Sequence, residues 1–443
     1  MKVILVSPPF GKGGQKSKGL PIAPPVLEYL TGLTYSVRPD TEVDLIDANK
    51  EPFDPEYRGR PHWLYSPDPS VSLGLQDGRQ AEGPRKKGSP WRDSCNSPSR
   101  GGKTIVLGEA ENVWREVLDD AQRGKLKPVY NGGFPELKGL PRPVTNLWRT
   151  RYVYGYFQTS RGCPHRCTFC SVHKFFGGKV RVRPIDEVIE EVASSKYRLF
   201  WGIDDNIWGV NINHTIELYR EMSKSIKGKW WFGSGDLVSV EHPRADELLK
   251  YARSAGLTAV LVGWESNNLR SLEEYKATSK QAKKRRDAIK KIRDHGIEVM
   301  LFIMVGGRQD VREDFEGILK LCDELKVSAH PVMTTPFPGT ELYEQYRDYM
   351  IPGLEWDFFD GNHAVFEHPT MSPQEREELL IDLRARLFTL PRIISRIFQI
   401  SWKGFPMSHI TSWMIQYPQG RAFRQYAKSR KNGNPYLIIN YES

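Results

Sequence analysis

Thr159-Ser160-Arg161-Gly162-Cys163-Pro164-His165-Arg166-Cys167-Thr168-Phe169-Cys170 packs three of the chain's five cysteines into eight positions. The spacing is C-x3-C-x2-C, and an apolar, strand-like stretch from Tyr152 to Gln158 leads into it. Three thiolates can hold three irons of a [4Fe–4S] cluster and leave the fourth iron without a protein ligand. An open iron binds and reduces a small molecule, whereas a four-cysteine cluster mostly stores or passes electrons. Two other readings stay open for the triplet. Zinc would need a fourth ligand, for which His165 or His173 is at hand. Disulfides are disfavoured by the odd count and by an N-terminus that lacks the long apolar core of a secretory leader.

Working outward from the triplet, apolar strand patterns and helical periodicity alternate regularly. Strands are predicted at Tyr154–Thr159, Leu199–Ile203, Trp230–Ser234, Ala259–Gly263, Val299–Val305 and Ser328–Met333. Helices are predicted near Ile185–Ser195, Thr215–Lys224, Ala245–Ala255, Gln281–His295 and Asp314–Leu325. Six such units predict a parallel α/β sheet curled as a partial barrel. Parallel barrels carry their chemistry at the carboxyl ends of the strands, and the unusual polar runs fall there.

These runs are Gly202-Ile203-Asp204-Asp205-Asn206, Val262-Gly263-Trp264-Glu265-Ser266 and Val305-Gly306-Gly307. Asp205 or Asn206 also suits a helix N-cap, and a glycine pair suits any strand-to-helix turn. Trp230, Trp231 and Phe232 fit either a substrate pocket or barrel packing. Cys322, among Ile318, Leu319 and Leu325, fits a helix core.

Upstream, residues 1–50 read as strand (Val3–Val6), loop, helix (Pro25–Ser36) and strand (Glu42–Ile46), with a further strand at Thr104–Leu107 before a Gly-Glu-Ala-Glu turn and a helix. The expected domains are a Rossmann-like one over 1–130, a linker over 131–151, the partial barrel over 152–335 and a helical region over 336–443. Residues 54–103, rich in Gly, Pro, Ser and Arg, read as a disordered or poorly packed insertion, or as a stretch that replaces part of the first domain through a sequence irregularity such as a shifted reading frame. A Ser372-Pro373-Gln374-Glu375 capping box opens a long helix, and Pro391 interrupts it. The tail 392–431 mixes apolar and basic residues, which suits a cap over the barrel mouth or peripheral contact with a membrane surface.

At 443 residues with 39% hydrophobic and 27% charged residues, the chain can bury a sizeable core. It holds no apolar run of the length that spans a bilayer, so no spanning helix is expected. Reduced cysteines and an oxygen-sensitive cluster make a cytoplasmic protein the expectation. The net charge of +10 identifies no partner. Its densest run, Lys283-Lys284-Arg285-Arg286, is expected to be a solvated helix face, and nucleic acid is not an expected partner.

The triplet's spacing, with Phe169 before the third cysteine, resembles the signature of the radical S-adenosylmethionine (radical SAM) superfamily. Gly263-Trp264-Glu265-Ser266 resembles an element of its cobalamin-binding branch, which contains methyltransferases and cyclases. The resemblance covers residues 1–50 and 104 to about 390. It implies that Cys163, Cys167 and Cys170 hold the [4Fe–4S] cluster and that SAM chelates the open iron. It further implies that Asp204 or Asp205 meets the SAM amino group, that Glu265 and Ser266 lie near its ribose or carboxylate, and that the backbone at Gly306 approaches its adenine. Cobalamin in the N-terminal domain is implied too, although no D-x-H-x-x-G run is present. The expected substrate is a hydrophobic small molecule or lipid, undergoing methylation or carbon–carbon bond formation, with an electron donor such as flavodoxin or ferredoxin. A tRNA-modifying enzyme and a non-catalytic zinc- or cluster-binding module are the alternatives.

Overall fold

The computed structural model describes residues 1–7, 23–47, 62–64, 73–76, 103–149, 151–208, 211–277, 282–354 and 356–397, with a few more between 408 and 428. Its first sheet contains β1 (Lys2–Ser7), β2 (Glu42–Asp47), β3 (His62–Leu64), β4 (Leu73–Gln76), β5 (Lys103–Gly108) and β6 (Val129–Gly133), in the order β2-β1-β3-β4-β5-β6. Val3 to Val6 are all buried, as a central parallel strand covered on both faces requires. The helix Pro25–Val37 starts on a proline whose missing N–H costs nothing there. It packs Leu27, Leu30 and Leu33 into one cluster with Val3, Leu5, Val43 and Leu45.

The expectation for residues 54–103 is corrected in part. β3 and β4 both arise inside this range, β3 parallel to β1 and β4 antiparallel to both its neighbours. They carry the sheet from β1 across to β5. The rest of the range lies outside the described residues.

The second sheet runs β7 (Tyr154–Phe157), β10 (Leu199–Gly202), β11 (Trp230–Gly235), β12 (Leu257–Glu265), β13 (Glu298–Val305) and β14 (Ser328–Met333), all parallel and in sequence order. Between β7 and β10 lies a short antiparallel ribbon, β8 (Ser160–Arg161) and β9 (Arg181–Val182). Alternate side chains divide between two faces. Phe200, Trp231, Val260, Val299 and Leu301 join a core with Val188, Ile216 and Leu248 of the surrounding helices. Tyr154, Phe232 and Ala259, with Trp201 and Leu261, form a separate cluster on the other face. The aromatic run therefore splits: Trp231 is barrel packing, and Phe232 stacks on Trp201 inside, 6.0 Å between centroids. Fully burying a side chain of this kind stabilises the fold by roughly 1.5–3 kcal/mol.

The helix Pro373–Leu387 opens with the Ser372 hydroxyl accepting the Glu375 N–H at 3.2 Å. Pro391 does not break it. The break falls at Phe388–Thr389, and Pro391 sits in the first turn of the next helix, Leu390–Ile397. This helix does not cap the mouth. Arg392 pairs with Asp323 at 2.9 Å near the end of the helix Arg312–Leu325, and the Ser408 hydroxyl donates to the Gly296 carbonyl ahead of β13. Both contacts lie at the amino ends of the strands, opposite the cysteines. Among the described residues no helix is long and apolar enough to cross a membrane.

Candidate active site

The cysteine loop leaves β7 through residues held by one carboxylate. Asp204, just past β10, accepts hydrogen bonds from the Thr159 N–H (2.9 Å), the Thr159 hydroxyl (2.6 Å) and the Ser160 hydroxyl (2.6 Å). Further along, Thr168 donates its N–H to the Tyr275 carbonyl (3.1 Å) and its hydroxyl to the Glu274 carbonyl (2.9 Å), while its own carbonyl accepts the Leu342 N–H (2.9 Å). Phe169 meets Tyr275 edge to face, with centroids 5.8 Å apart. The aromatic residue before the third cysteine is thus an anchor, seated in the cluster of Tyr275, Leu342, Tyr346 and Phe366.

All three thiols are free and half-buried. The Cys163 sulfur takes a hydrogen bond from the His165 N–H, and Cys170 from the Val172 N–H. Burial pushes the Cys163 thiol up to about 11 and Cys167 up to about 12. Among the described residues no three His, Cys, Asp or Glu side chains close on a point that one metal ion would fill. His165 is engaged elsewhere, with its Nε2 at 3.0 Å from Asp236.

The two adjacent aspartates have different places. Asp204 is 3% exposed and spends its carboxylate on Thr159 and Ser160, clasping the loop to the strand. Asp205 lines a cavity and accepts the Gly162 N–H at 2.8 Å. Burial pushes its carboxyl up to about 6, against the pull of that N–H. Neither Asp205 nor Asn206 caps a helix. The next helix, Ile212–Ser225, takes its cap from Asn211, whose side chain accepts the N–H groups of Asn213 and His214. Asp236, at the end of β11, escaped sequence reasoning. Burial works to raise its carboxyl, but hydrogen bonds from His165, the Ser239 N–H and Asn206 outweigh this and hold it below the ordinary range. The only sequence signal was its position after Gly233-Ser234-Gly235.

Glu265 has the least ordinary backbone in the barrel. Its φ is +64°, and the Ser266 N–H donates to the Trp264 carbonyl at 2.9 Å across it. A positive-φ γ-turn of this kind is rare and strained, and such strain collects at functional sites. The register with β13 shifts at the same point. The turn folds the carboxylate back over Gly263, where a Cβ would lie 2.0 Å from Oε1. Burial pushes the Glu265 carboxyl up to about 7, opposed by the charges of Arg285 and His165. Its charge acts on Cys167 and Cys170, and that of Asp205 on Cys163 and Cys170. The structure therefore brings Asp205 and Glu265 beside the triplet. Ser266 is buried and closes the turn by accepting the Asn268 N–H at 3.0 Å.

The glycines after β13 serve the protein's own groups. At Gly306 (φ +74°) a Cβ would lie 2.7 Å from the Met333 sulfur, and at Gly307 one would lie 2.2 Å from the Tyr275 hydroxyl. Both positions therefore fit a strand-to-helix turn packed against these groups. His363 sits in a local turn with its Nδ1 3.1 Å from Asp360.

A cavity of about 370 Å³ lies between the two sheets, within the usual range of small-molecule sites. From the N-terminal side it is lined by Tyr29, Leu30, Val106 and Gly108, and from the barrel side by Val172, Phe175 and Asp205. One buried ion cluster closes its edge. Glu109 pairs with both Arg161 and Arg181, and Glu111 with Arg161 at 2.6 Å. Arg161 lies two residues before Cys163.

Residues 157–322 match the radical SAM superfamily. These residues make up a radical SAM domain. A domain of this superfamily works with a [4Fe–4S] cluster and SAM. Bacteriochlorophyllide d C-12(1)-methyltransferase of Chlorobaculum tepidum is 25% identical over 337 residues, covering 73% of this chain and 71% of that one. Anaerobic magnesium-protoporphyrin IX monomethyl ester cyclase of Cereibacter sphaeroides is 28% identical over 254 residues, 55% of this chain and 40% of that one. Among solved structures, the radical SAM methyltransferase TsrM from Kitasatospora setae, with cobalamin and a [4Fe-4S] cluster bound, superposes with a TM-score of 0.62 at 15% identity. The match covers 96% of this chain and 99% of that one. This likeness is one of fold, and it takes in both sheets.

Proposed function

We propose that the chain is a SAM-cleaving enzyme in which Cys163, Cys167 and Cys170 hold a [4Fe–4S] cluster and Asp205 and Glu265 hold SAM beside it. When bound, the cluster supplies the electron that splits the SAM sulfonium into methionine and a 5′-deoxyadenosyl radical. The protein's own part is positional. The Asp204 clasp and the Phe169 anchor fix the loop at both ends, and the N–H groups of His165 and Val172 stabilise thiolates at two ligand sulfurs. Asp205 offers a carboxylate to an ammonium, and Glu265 offers two acceptors to ribose hydroxyls. The observation that carries this reading is that two acids at the carboxyl ends of different strands meet one loop: Asp205 accepts the Gly162 N–H beside Cys163 at 2.8 Å, and the charge of the buried Glu265 acts on Cys167 and Cys170.

The apolar cavity between the sheets supports cobalamin and a hydrophobic small-molecule or lipid substrate, with methylation as the leading outcome and carbon–carbon bond formation as the second. The names of the relatives favour that order. An electron donor of the flavodoxin or ferredoxin type and a cytoplasmic location belong to the same proposal, as does a division of the chain near residues 130, 151 and 335.

The test is anaerobic reconstitution with iron and sulfide, then dithionite and SAM. We expect 5′-deoxyadenosine to be released, and release to stop when Cys163, Cys167 or Cys170 is changed to Ala. Cleavage that persists in all three variants would remove the cluster assignment.

A further inference from the structure

Arg285 belongs to the basic run Lys283-Lys284-Arg285-Arg286, yet it is 3% exposed. It extends from the helix Ala282–Asp294 to the carboxyl end of β12. Its Nη2 donates to the Trp264 carbonyl and, at 3.3 Å, to the Ser266 carbonyl. Those carbonyls stand on either side of Glu265. The guanidinium also lies 3.6 Å from the centroid of the Trp264 ring, within the range of a cation–π contact. Trp264 is fixed in turn by donating its Nε1–H to Asn267 at 2.7 Å.

A residue held at positive φ persists only where its surroundings over-determine it. At Glu265 the γ-turn hydrogen bond alone is a weak restraint. Arg285 adds a second donor to the same Trp264 carbonyl and ties it to the carbonyl beyond the bend. We infer that Arg285 is the positioning residue that keeps Glu265 in its strained turn and aims its carboxylate at SAM. The planar guanidinium suits this task because its Nη2 bridges two carbonyls while its face covers an indole. Arg285 touches no reacting atom in this scheme and acts through Glu265. The inference rests on the assignment of Glu265 to SAM given above.

The test uses the full chain, reconstituted with its cluster, in the variants R285M, R285K, E265A and R285M/E265A. Iron per chain, the SAM dissociation constant from equilibrium dialysis, and KM and kcat for 5′-deoxyadenosine release are read together. R285M is expected to weaken SAM binding about tenfold at unchanged iron content. R285K, with the charge but without the planar group that covers Trp264, should fall in between. The double variant should lose no more than E265A alone, because both changes remove one function. Parent-like SAM binding in R285M, or losses that simply add, would overturn the role of Arg285. An E265A variant that binds SAM normally would instead overturn the assignment of Glu265. Should R285M fail to fold, R285K and R285K/E265A carry the same comparison.

Discussion

Replacing Gly263 by Ala adds a single methyl group, and the structure says where it goes. The new Cβ would stand 2.0 Å from the Glu265 Oε1. Since real contacts of this type essentially never fall under 3.0 Å, the carboxylate must retreat by about 1 Å or more. The clashing atom is the free end of a side chain and Gly263 itself is not held at positive φ, so the fold has little to lose. A misplacement of about 1 Å at a positioning group can cost a hundredfold in rate, roughly 2.7 kcal/mol. G263A is therefore expected to keep its iron and its melting temperature while releasing 5′-deoxyadenosine about a hundredfold more slowly. Anaerobic initial rates over a range of SAM concentrations, paired with calorimetry, check both halves. A variant with the parent's rate and SAM affinity would show that the carboxylate's seat above Gly263 has no bearing on the reaction. A variant that unfolds would show that the glycine serves the strand instead.

Two further outcomes are expected. Glu298 is 2% exposed, neither of its oxygens has a hydrogen-bond partner, and burial pushes its carboxyl from 4.5 to about 7 despite the charges of Arg293 and Arg396. The folded state then holds the proton more tightly than the unfolded one, so this group takes stability away as pH rises from about 4.5 through 7. E298Q should gain up to about 3 kcal/mol over the parent at about pH 8 and almost nothing at about pH 4, measured by urea unfolding; an equal gain at both pH values would contradict the ionisation argument. E109Q removes the anion that Arg161 and Arg181 share, leaving Arg161 its Glu111 partner and Arg181 the Pro135 carbonyl, and is expected to cost about 1–3 kcal/mol, read from the same unfolding curves, against under 1 kcal/mol if the pair is ornamental.

Most of the barrel could be read from the residues because its signals are local. The apolar runs of β12 and β13, such as Val299-Met300-Leu301-Phe302-Ile303, have lengths and flanks that admit little except buried parallel strands. The cysteines were legible because their spacing alone carries the chemistry. Arg285 was misread although its place was written in the register. It lies three, four and seven positions before Ala288, Ile289 and Ile292, the buried face of its own helix, and the surrounding lysines masked that period. Asp204 and Asp205 are adjacent and chemically equal, so only the direction of the chain past β10 separates the clasp from the cavity-facing acid. The strands β3 and β4 are three and four residues long, too short for a periodicity, and they exist through pairing with β1 and β5 rather than through their own composition.

The shared anion Glu109 has a consequence for how the molecule transmits change. The corner that follows β5 borders the cavity, and Arg161 reaches it from a position two residues ahead of the first cysteine. Whatever displaces that corner tugs on the root of the cysteine loop, so the contents of the cavity and the setting of the sulfurs share one short lever.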